Sequence, residues 1–246
     1  MKPTKKANEM SIRELAAYID QSVLKPEFTQ AEIRKYIQEG IDFGCATVCI
    51  NPSSLGIAAE LTRGTDTKIC VVCDFPFGLS TTRSKVMQAE EYCRGGAVAE
   101  LDVVANFGWI RSGMFAEVEA DIRAVTEVCH ARGVQVKVIF ETDALTPEEI
   151  RRACEAGIAA GADFLKTSTG FYTGGRNDGA TREIIALMME TARERCKIKG
   201  SGGIRTQQHF FELIDMGIDR MGIGYRSTPV VLGVSAEEAK RLREQR

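Results

Sequence analysis

Apolar positions in this chain gather into eight short runs, too brief for helices and rich in Val, Ile and Phe. They fall at Ser22–Leu24, Ala46–Ile50, Lys68–Phe75, Ala99–Val104, Val134–Glu141, Phe164–Thr167, Ile198–Ser201 and Arg220–Ile223. Stretches with apolar residues at helical spacing fill the gaps, about 10–15 residues each, as parallel strand–helix units require. Helix starts are marked by a hydroxyl followed three positions later by a glutamate: Ser11 with Glu14, Thr29 with Glu32, Thr146 with Glu149 and Ser235 with Glu238. That spacing lets the hydroxyl and the carboxylate each satisfy an orphan backbone N–H. Pro147 occupies a favoured first helical position. Glycines at 95–96, 133 and 161 follow helical runs, where a left-handed cap is needed.

Eight strands alternating with helices suit either a closed barrel or an open doubly wound sheet. An open nucleotide-binding sheet carries its glycine-rich turn after an early strand. Here Gly202-Gly203 and Gly222/Gly224 follow the last two strands, the usual phosphate positions of a β/α barrel. The expectation is therefore an α/β fold: a single (β/α)8 TIM barrel over residues 11–246 with a short N-terminal helix, preceded by a mobile tail at 1–10.

Composition narrows the function. With 246 residues, 44% apolar and 27% charged, the chain fits one soluble domain with a sizeable core. A formal net charge of −2 gives no basic field for nucleic acid. No run of about 18 apolar residues suggests a membrane span, and the start lacks an apolar signal segment. The expected setting is cytoplasmic, with small-molecule partners and the chain as a homodimer. Among the eight cysteines, Cys70 and Cys73 have metal-like spacing but lie in one strand, where residues three apart point to opposite faces. Cys45 and Cys49 lack a second pair or a histidine cluster nearby. Reduced core thiols are expected, with no metal and no cofactor. His130 and His209 fall in helical stretches and read as surface residues.

Strand parity singles out unusual residues. Glu100, Asp102, Val104 and Asn106 share one face; so do Gln135, Lys137, Ile139 and Glu141, then Phe164, Lys166 and Ser168, then Lys197, Lys199 and Ser201. Charged groups thus fall on what would be the barrel interior. Lysine is rarely buried unless paired or working. One reading is a layer of ion pairs. The other is carbonyl chemistry, because a lysine amine with a depressed pKa is a protein nucleophile for carbonyls. A nearby cation and partial desolvation supply that depression.

Lys166-Thr-Ser-Thr-Gly-Phe171 and Lys199-Gly-Ser-Gly-Gly-Ile-Arg205 resemble the two lysine motifs of the 2-deoxyribose-5-phosphate aldolase family. The resemblance continues in Asp20-Gln-Ser-Val-Leu-Lys-Pro26, Val48-Cys-Ile-Asn-Pro52, Asp74-Phe-Pro-Phe-Gly78, Glu100-Leu-Asp-Val-Val-Ala-Asn106 and Lys137-Val-Ile-Phe-Glu-Thr142. It implies a class I aldolase that cleaves 2-deoxyribose 5-phosphate to acetaldehyde and glyceraldehyde 3-phosphate. Lys166 would form the Schiff base, with Lys199 as second lysine and Asp102 as acid/base. It places Asp20, Ser22, Leu24, Cys49 and Lys137 on the pocket, with Thr169 and Gly170 beside the Schiff-base lysine. Gly202, Gly203, Gly222 and Gly224 would offer backbone N–H groups to the phosphate, and Ser227 keeps a hydroxyl there. Arg205 either joins them or pairs with a surface carboxylate.

The chain departs from the family pattern mainly at the phosphate end. Gly222-Ile-Gly-Tyr-Arg-Ser-Thr228 replaces a small hydroxyl-rich turn, so Tyr225 and Arg226 are much larger than the usual residues. Arg226 reads as an anion contact. The loop after Phe171 is longer and carries Arg176, Ser22 replaces a threonine, Gln21 a histidine, and the tail lacks a tyrosine. These differences leave room for two alternatives: a Schiff-base aldolase with another acceptor, and a silent sugar-phosphate-binding barrel.

Overall fold

The computed structural model describes residues 3–244. Its eight strands are β1 (Ile19–Val23), β2 (Thr47–Ile50), β3 (Lys68–Cys73), β4 (Val98–Val104), β5 (Gln135–Ile139), β6 (Phe164–Lys166), β7 (Lys197–Ser201) and β8 (Arg220–Gly224). They close into a barrel in sequence order. Around them run α1 (Ile12–Ala16), α2 (Gln30–Phe43), α3 (Leu55–Thr62), α4 (Thr82–Cys93), α5 (Phe107–Arg111), α6 (Phe115–His130), α7 (Pro147–Ala159), α8 (Arg182–Ala192), α9 (Gln207–Met216), α10 (Thr228–Leu232) and α11 (Ala236–Glu244). This is the (β/α)8 barrel with a short N-terminal helix that the alternation of runs implies. None of the described helices is long and apolar enough to cross a membrane.

Three strand ends differ from the sequence pattern by two residues or more, each for a local reason; the others shift by one residue at most. β1 begins at Ile19, not Ser22, because Asp20 and Gln21 are fully buried despite being polar. Arg220 pairs with Asp20 at 2.5 Å, and Gln21 donates to the Tyr36 carbonyl at 2.5 Å. β3 and β5 stop at Cys73 and Ile139, short of the expected Phe75 and Glu141. Asp74 (φ 51) and Glu141 (φ 58) take left-handed backbone there and end the extended run. Of the glycines expected as helix caps at 95–96, 133 and 161, Gly96, Gly133 and Gly161 have positive φ and Gly95 does not.

Contacts group the chain into two compact units, Met1–Val71 with Ile204–Arg246, and Val72–Gly203. In the first, Ser11 and Thr29 open α1 and α2 with reciprocal capping boxes. Arg243 of α11 donates to the Ile41 and Asp42 carbonyls at 2.5 and 3.2 Å, closing the C-terminus of α2 where a cation is favoured. Part of the segment expected as a mobile tail is a 3-10 turn, Ala7–Glu9. Ala7 is fully buried and its N–H donates to Asp215 at 2.9 Å.

In the second unit, Thr146 and Pro147 start α7 as expected, with a complete capping box to Glu149. The outward residues Val138, Phe140 and Leu165 are fully buried beneath it. Helix and sheet approach so closely that a Cβ added at Gly157 would lie 2.8 Å from Leu165 Cδ2 and 3.0 Å from Phe140 Cζ. Burial of each such aliphatic or aromatic side chain contributes about 1.5–3 kcal/mol.

A lysine that strand parity did not single out is also fully buried. Lys85 of α4 donates to Asp121 Oδ2 at 2.7 Å and to the Val104 carbonyl at 3.0 Å, and lies 3.7 Å from Asp74. It ties the end of β4 to the 74–80 loop, where Ser80 donates to Asp74 through N (2.9 Å) and Oγ (2.7 Å). Removing one partner of a buried pair strands the other charge. Asp121→Ala is therefore expected to cost about 3–5 kcal/mol in urea denaturation. A loss below about 1 kcal/mol, the scale of an exposed pair, would show that solvent reaches Lys85.

Candidate active site

β4, β5, β6 and β7 are adjacent, and their register sets the spacing of the charged groups. Asp102 lies level with Lys137, and Lys166 with Lys199. Two residues along β5 from Lys137, Ile139 pairs with Lys166. Inward parity then directs all four side chains into the same interior space. Asp102, Lys137 and Lys199 are fully buried and Lys166 is 3% exposed.

The carboxylate of Asp102 is the centre of this group. Lys137 donates to its Oδ1 at 2.9 Å. Lys166 and Lys199 both donate to Oδ2, each at 2.7 Å. Lys137 also reaches Glu100 Oε2 at 2.5 Å. Burial alone would raise the Asp102 pKa, but the charges of Lys137, Lys166 and Lys199 outweigh it and hold the group well below the usual carboxylate range. Asp102 is therefore held anionic. Strand parity had brought out Asp102, Lys137, Lys166 and Lys199; the structure brings all four together.

Beyond Lys166 the chain turns through a hydroxyl network. Thr167 Oγ1 donates to the Ser201 carbonyl at 2.9 Å, and Ser201 Oγ to the Ser168 carbonyl at 2.5 Å. The hydroxyl of Thr169 is committed within the protein: it donates to Glu141 Oε2 and accepts from the Phe171 N–H at 2.9 Å. Thr169 thus shapes the turn, with Gly170 exposed next to it at φ 81. Glu141 was placed on the inner face by parity but not among the site residues; no sequence signal marks its left-handed backbone.

The glycine pair after β7 has a packing role. Its positive φ values, 81 at Gly202 and 74 at Gly203, come with a close crossing of the 178–179 segment. A Cβ at Gly203 would lie 2.4 Å from the Asp178 carbonyl, and one at Gly179 would lie 2.4 Å from Gly202 C. Asp143 fastens the same crossing, accepting from Asp178 N and Gly179 N, each at 2.9 Å, and from Ser168 Oγ at 3.0 Å. The long loop after Phe171 is therefore pinned at its far end, while Arg176 remains exposed and pairs with Asp178. Phe171 itself packs edge-on to Phe75, with centroids 5.3 Å apart.

In the first unit, Ser22 is level with Cys49 on one side and Gly224 on the other. Cys49 is 1% exposed and Leu24 8%. Asp20, level with Gly222, is committed to Arg220. Arg205 is exposed. Tyr225 joins a cluster with Phe28 and Tyr36, at centroid distances of 5.1 and 4.0 Å. Arg226 is exposed and lies over the Tyr225 ring at 5.3 Å. Ser227 N donates to the Gly224 carbonyl at 2.7 Å, closing the turn. The two histidines are remote in role: His130 ends α6, bonded to Asp163 at 2.8 Å, and His209 lies on α9. All eight cysteines are free thiols, and seven of them are buried.

Comparison with known proteins places this geometry. The chain is 43% identical over 208 residues to the deoxyribose-phosphate aldolase of Geobacillus sp. (strain WCH70), covering 85% of this chain and 91% of that protein. Its structure is similar to that of "QR15, an Aldolase", with a TM-score of 0.80 and 34% identity over 94% of this chain and 97% of that one. It is also similar to the deoxyribose phosphate aldolase from Aeropyrum pernix, described as having a unique tetrameric structure, with a TM-score of 0.81 and 27% identity over 91% of each chain. A family model for DeoC/LacD family aldolases matches residues 15–233, a span that contains Asp102 and both paired lysines, and the chain belongs to that family.

Proposed function

We propose that this protein is a class I aldolase that cleaves 2-deoxyribose 5-phosphate to acetaldehyde and glyceraldehyde 3-phosphate through a Schiff base on Lys166. The observation that carries this reading is the pair of buried lysines, Lys166 and Lys199, donating to the same oxygen of Asp102. An inert ion-pair layer has no need to gather Lys137, Lys166 and Lys199 around one carboxylate. A nucleophilic amine does need a cation close by that favours its neutral form.

The reaction follows from these positions. The Lys166 amine attacks C1 of the open-chain aldehyde; a proton delivered from Lys199 through Asp102 carries the C1 hydroxyl away as water and leaves a cationic iminium. Asp102, held anionic a hydrogen bond away, stabilises that cation. The C3 hydroxyl proton leaves to the Asp102–Lys199 relay as the C2–C3 bond breaks and its electrons move into the iminium. The products are glyceraldehyde 3-phosphate and an enamine on Lys166. Protonation of the enamine at C2 and hydrolysis release acetaldehyde and restore the amine. Buried Lys137 also engages Asp102, leaving Lys166 and Lys199 to its other oxygen.

The phosphate end is where this chain differs from the family pattern. Tyr225 is anchored by Phe28 and Tyr36 rather than standing free, and Arg226 rests on its face with the guanidinium exposed. An arginine fork binds a phosphate more strongly than serine hydroxyls can. We assign the acceptor phosphate to Arg226 and Ser227 at the end of β8. The chemistry fits cytoplasmic carbohydrate catabolism.

The direct test is retro-aldol turnover across phosphorylated and unphosphorylated deoxysugars. Release of acetaldehyde from 2-deoxyribose 5-phosphate at the highest kcat/KM supports the reading; preference for a longer or differently charged acceptor would replace it. Lys199→Leu is expected to slow turnover by about 100-fold or more, with residual activity rising at higher pH. Near-normal activity with an unchanged pH profile would make Lys199 structural. Arg226→Ala is expected to raise KM for phosphorylated substrates about 10-fold or more, with kcat kept and unphosphorylated aldehydes unaffected. Equal losses on both substrate types would show that Arg226 supports the fold instead.

A further inference from the structure

Glu141 occupies a position at odds with its residue type. Its backbone has φ 58 and ψ 64, a region that residues with a Cβ avoid. Its side chain is charged in type yet only 1% exposed. The strand ladder explains the backbone. Phe140 N donates to the Lys166 carbonyl at 3.1 Å, and Thr142 N to the Thr167 carbonyl at 3.0 Å. A regular parallel ladder advances two residues on both strands between such bonds. Here the β5 side advances two and the β6 side one, so Glu141 is the extra residue of a bulge. Bulges beside active sites re-aim a side chain.

The side chain is aimed at the turn that follows Lys166. Glu141 Oε1 accepts from Thr169 N at 3.3 Å, and Oε2 accepts from the Thr169 hydroxyl. The same hydroxyl holds Phe171 N. Burial pushes the Glu141 carboxyl pKa up, Thr169 pulls it back, and Asp143 and Lys166 are the charged groups facing it. One buried carboxylate thus holds Thr169, three residues beyond the lysine, through both its N–H and its hydroxyl, and that hydroxyl in turn accepts from Phe171 N.

We infer that Glu141 is a positioning residue for the Schiff-base lysine: its carboxylate locks the Thr169–Phe171 turn and so sets the aim of Lys166. The inference rests on the Schiff-base reading for its catalytic meaning, but the locking of the turn is independent of it. The competing account is that Glu141 only closes the bulge.

Glu141→Gln and Glu141→Gly separate the two. The Gln amide keeps an oxygen for Thr169 N and can offer only an N–H to the Thr169 hydroxyl, so the charge-assisted bond to that hydroxyl is replaced by a weaker neutral one. Glycine adopts the bulge backbone freely and removes the carboxylate. Both variants are expected to lower kcat about 10- to 100-fold with KM changed far less, as a misaimed reacting group does. Amide hydrogen exchange across residues 167–172 should be faster in both. Combining Glu141→Gln with Thr169→Val should add little to either alone. Wild-type kcat in Glu141→Gly, or unchanged kcat and exchange in Glu141→Gln, would overturn the inference. If the parent protein cleaves no deoxysugar, the function reading falls, and the exchange comparison still decides whether Glu141 locks the turn.

Discussion

A single carboxylate makes it possible to hold three lysines inside this barrel. Removing an ammonium group from water is costly unless a partner replaces the lost hydration. Asp102, fully buried itself, serves Lys137 through one oxygen and Lys166 and Lys199 through the other. The dependence is mutual, because those lysines keep Asp102 anionic against its own desolvation. The pairing of β4 to β5, β5 to β6 and β6 to β7 places the four residues within reach of one another. A register slip of one residue in any of these strands would turn its charged group into the apolar layer under the helices.

Around this centre the second unit is built to limit movement. Lys85 ties the end of β4 to Asp74 and Asp121. Glu141 and Asp143, two residues apart, hold the turn after Lys166 and the crossing at Gly179. On the proposed mechanism such rigidity would serve catalysis, since small misplacements of reacting groups are costly in rate. The loop that follows is less enclosed: Gly170 and Arg176 are exposed.

Much of this was legible in the sequence because it is written in periodicity. Alternation within short apolar runs gave eight strands, hydroxyl–glutamate spacing gave the starts of α1, α2 and α7, and parity placed Asp102, Lys137, Lys166 and Lys199 on one face. What escaped was non-periodic. The first residues of β1 are polar because Asp20 and Gln21 find partners in Arg220 and the Tyr36 carbonyl, which no local pattern announces. The left-handed backbone at Asp74 and Glu141 falls on residues that nothing in the sequence marks as turns. Lys85 lies on a helix whose other charges face solvent, and its burial depends on Asp121, 36 positions away. At Gly202 and Gly203 the close approach of residues 178 and 179, which also calls for glycine there, is announced by no local pattern.

The central claim is that Lys166, and neither of the two lysines beside it, becomes covalently bonded to substrate. Borohydride reduction in the presence of acetaldehyde, followed by peptide mass analysis, tests it directly. The account predicts a reduced two-carbon adduct on the peptide containing Lys166, absent when acetaldehyde is omitted. An adduct confined to Lys137 or Lys199, or none on any of the three, would contradict it.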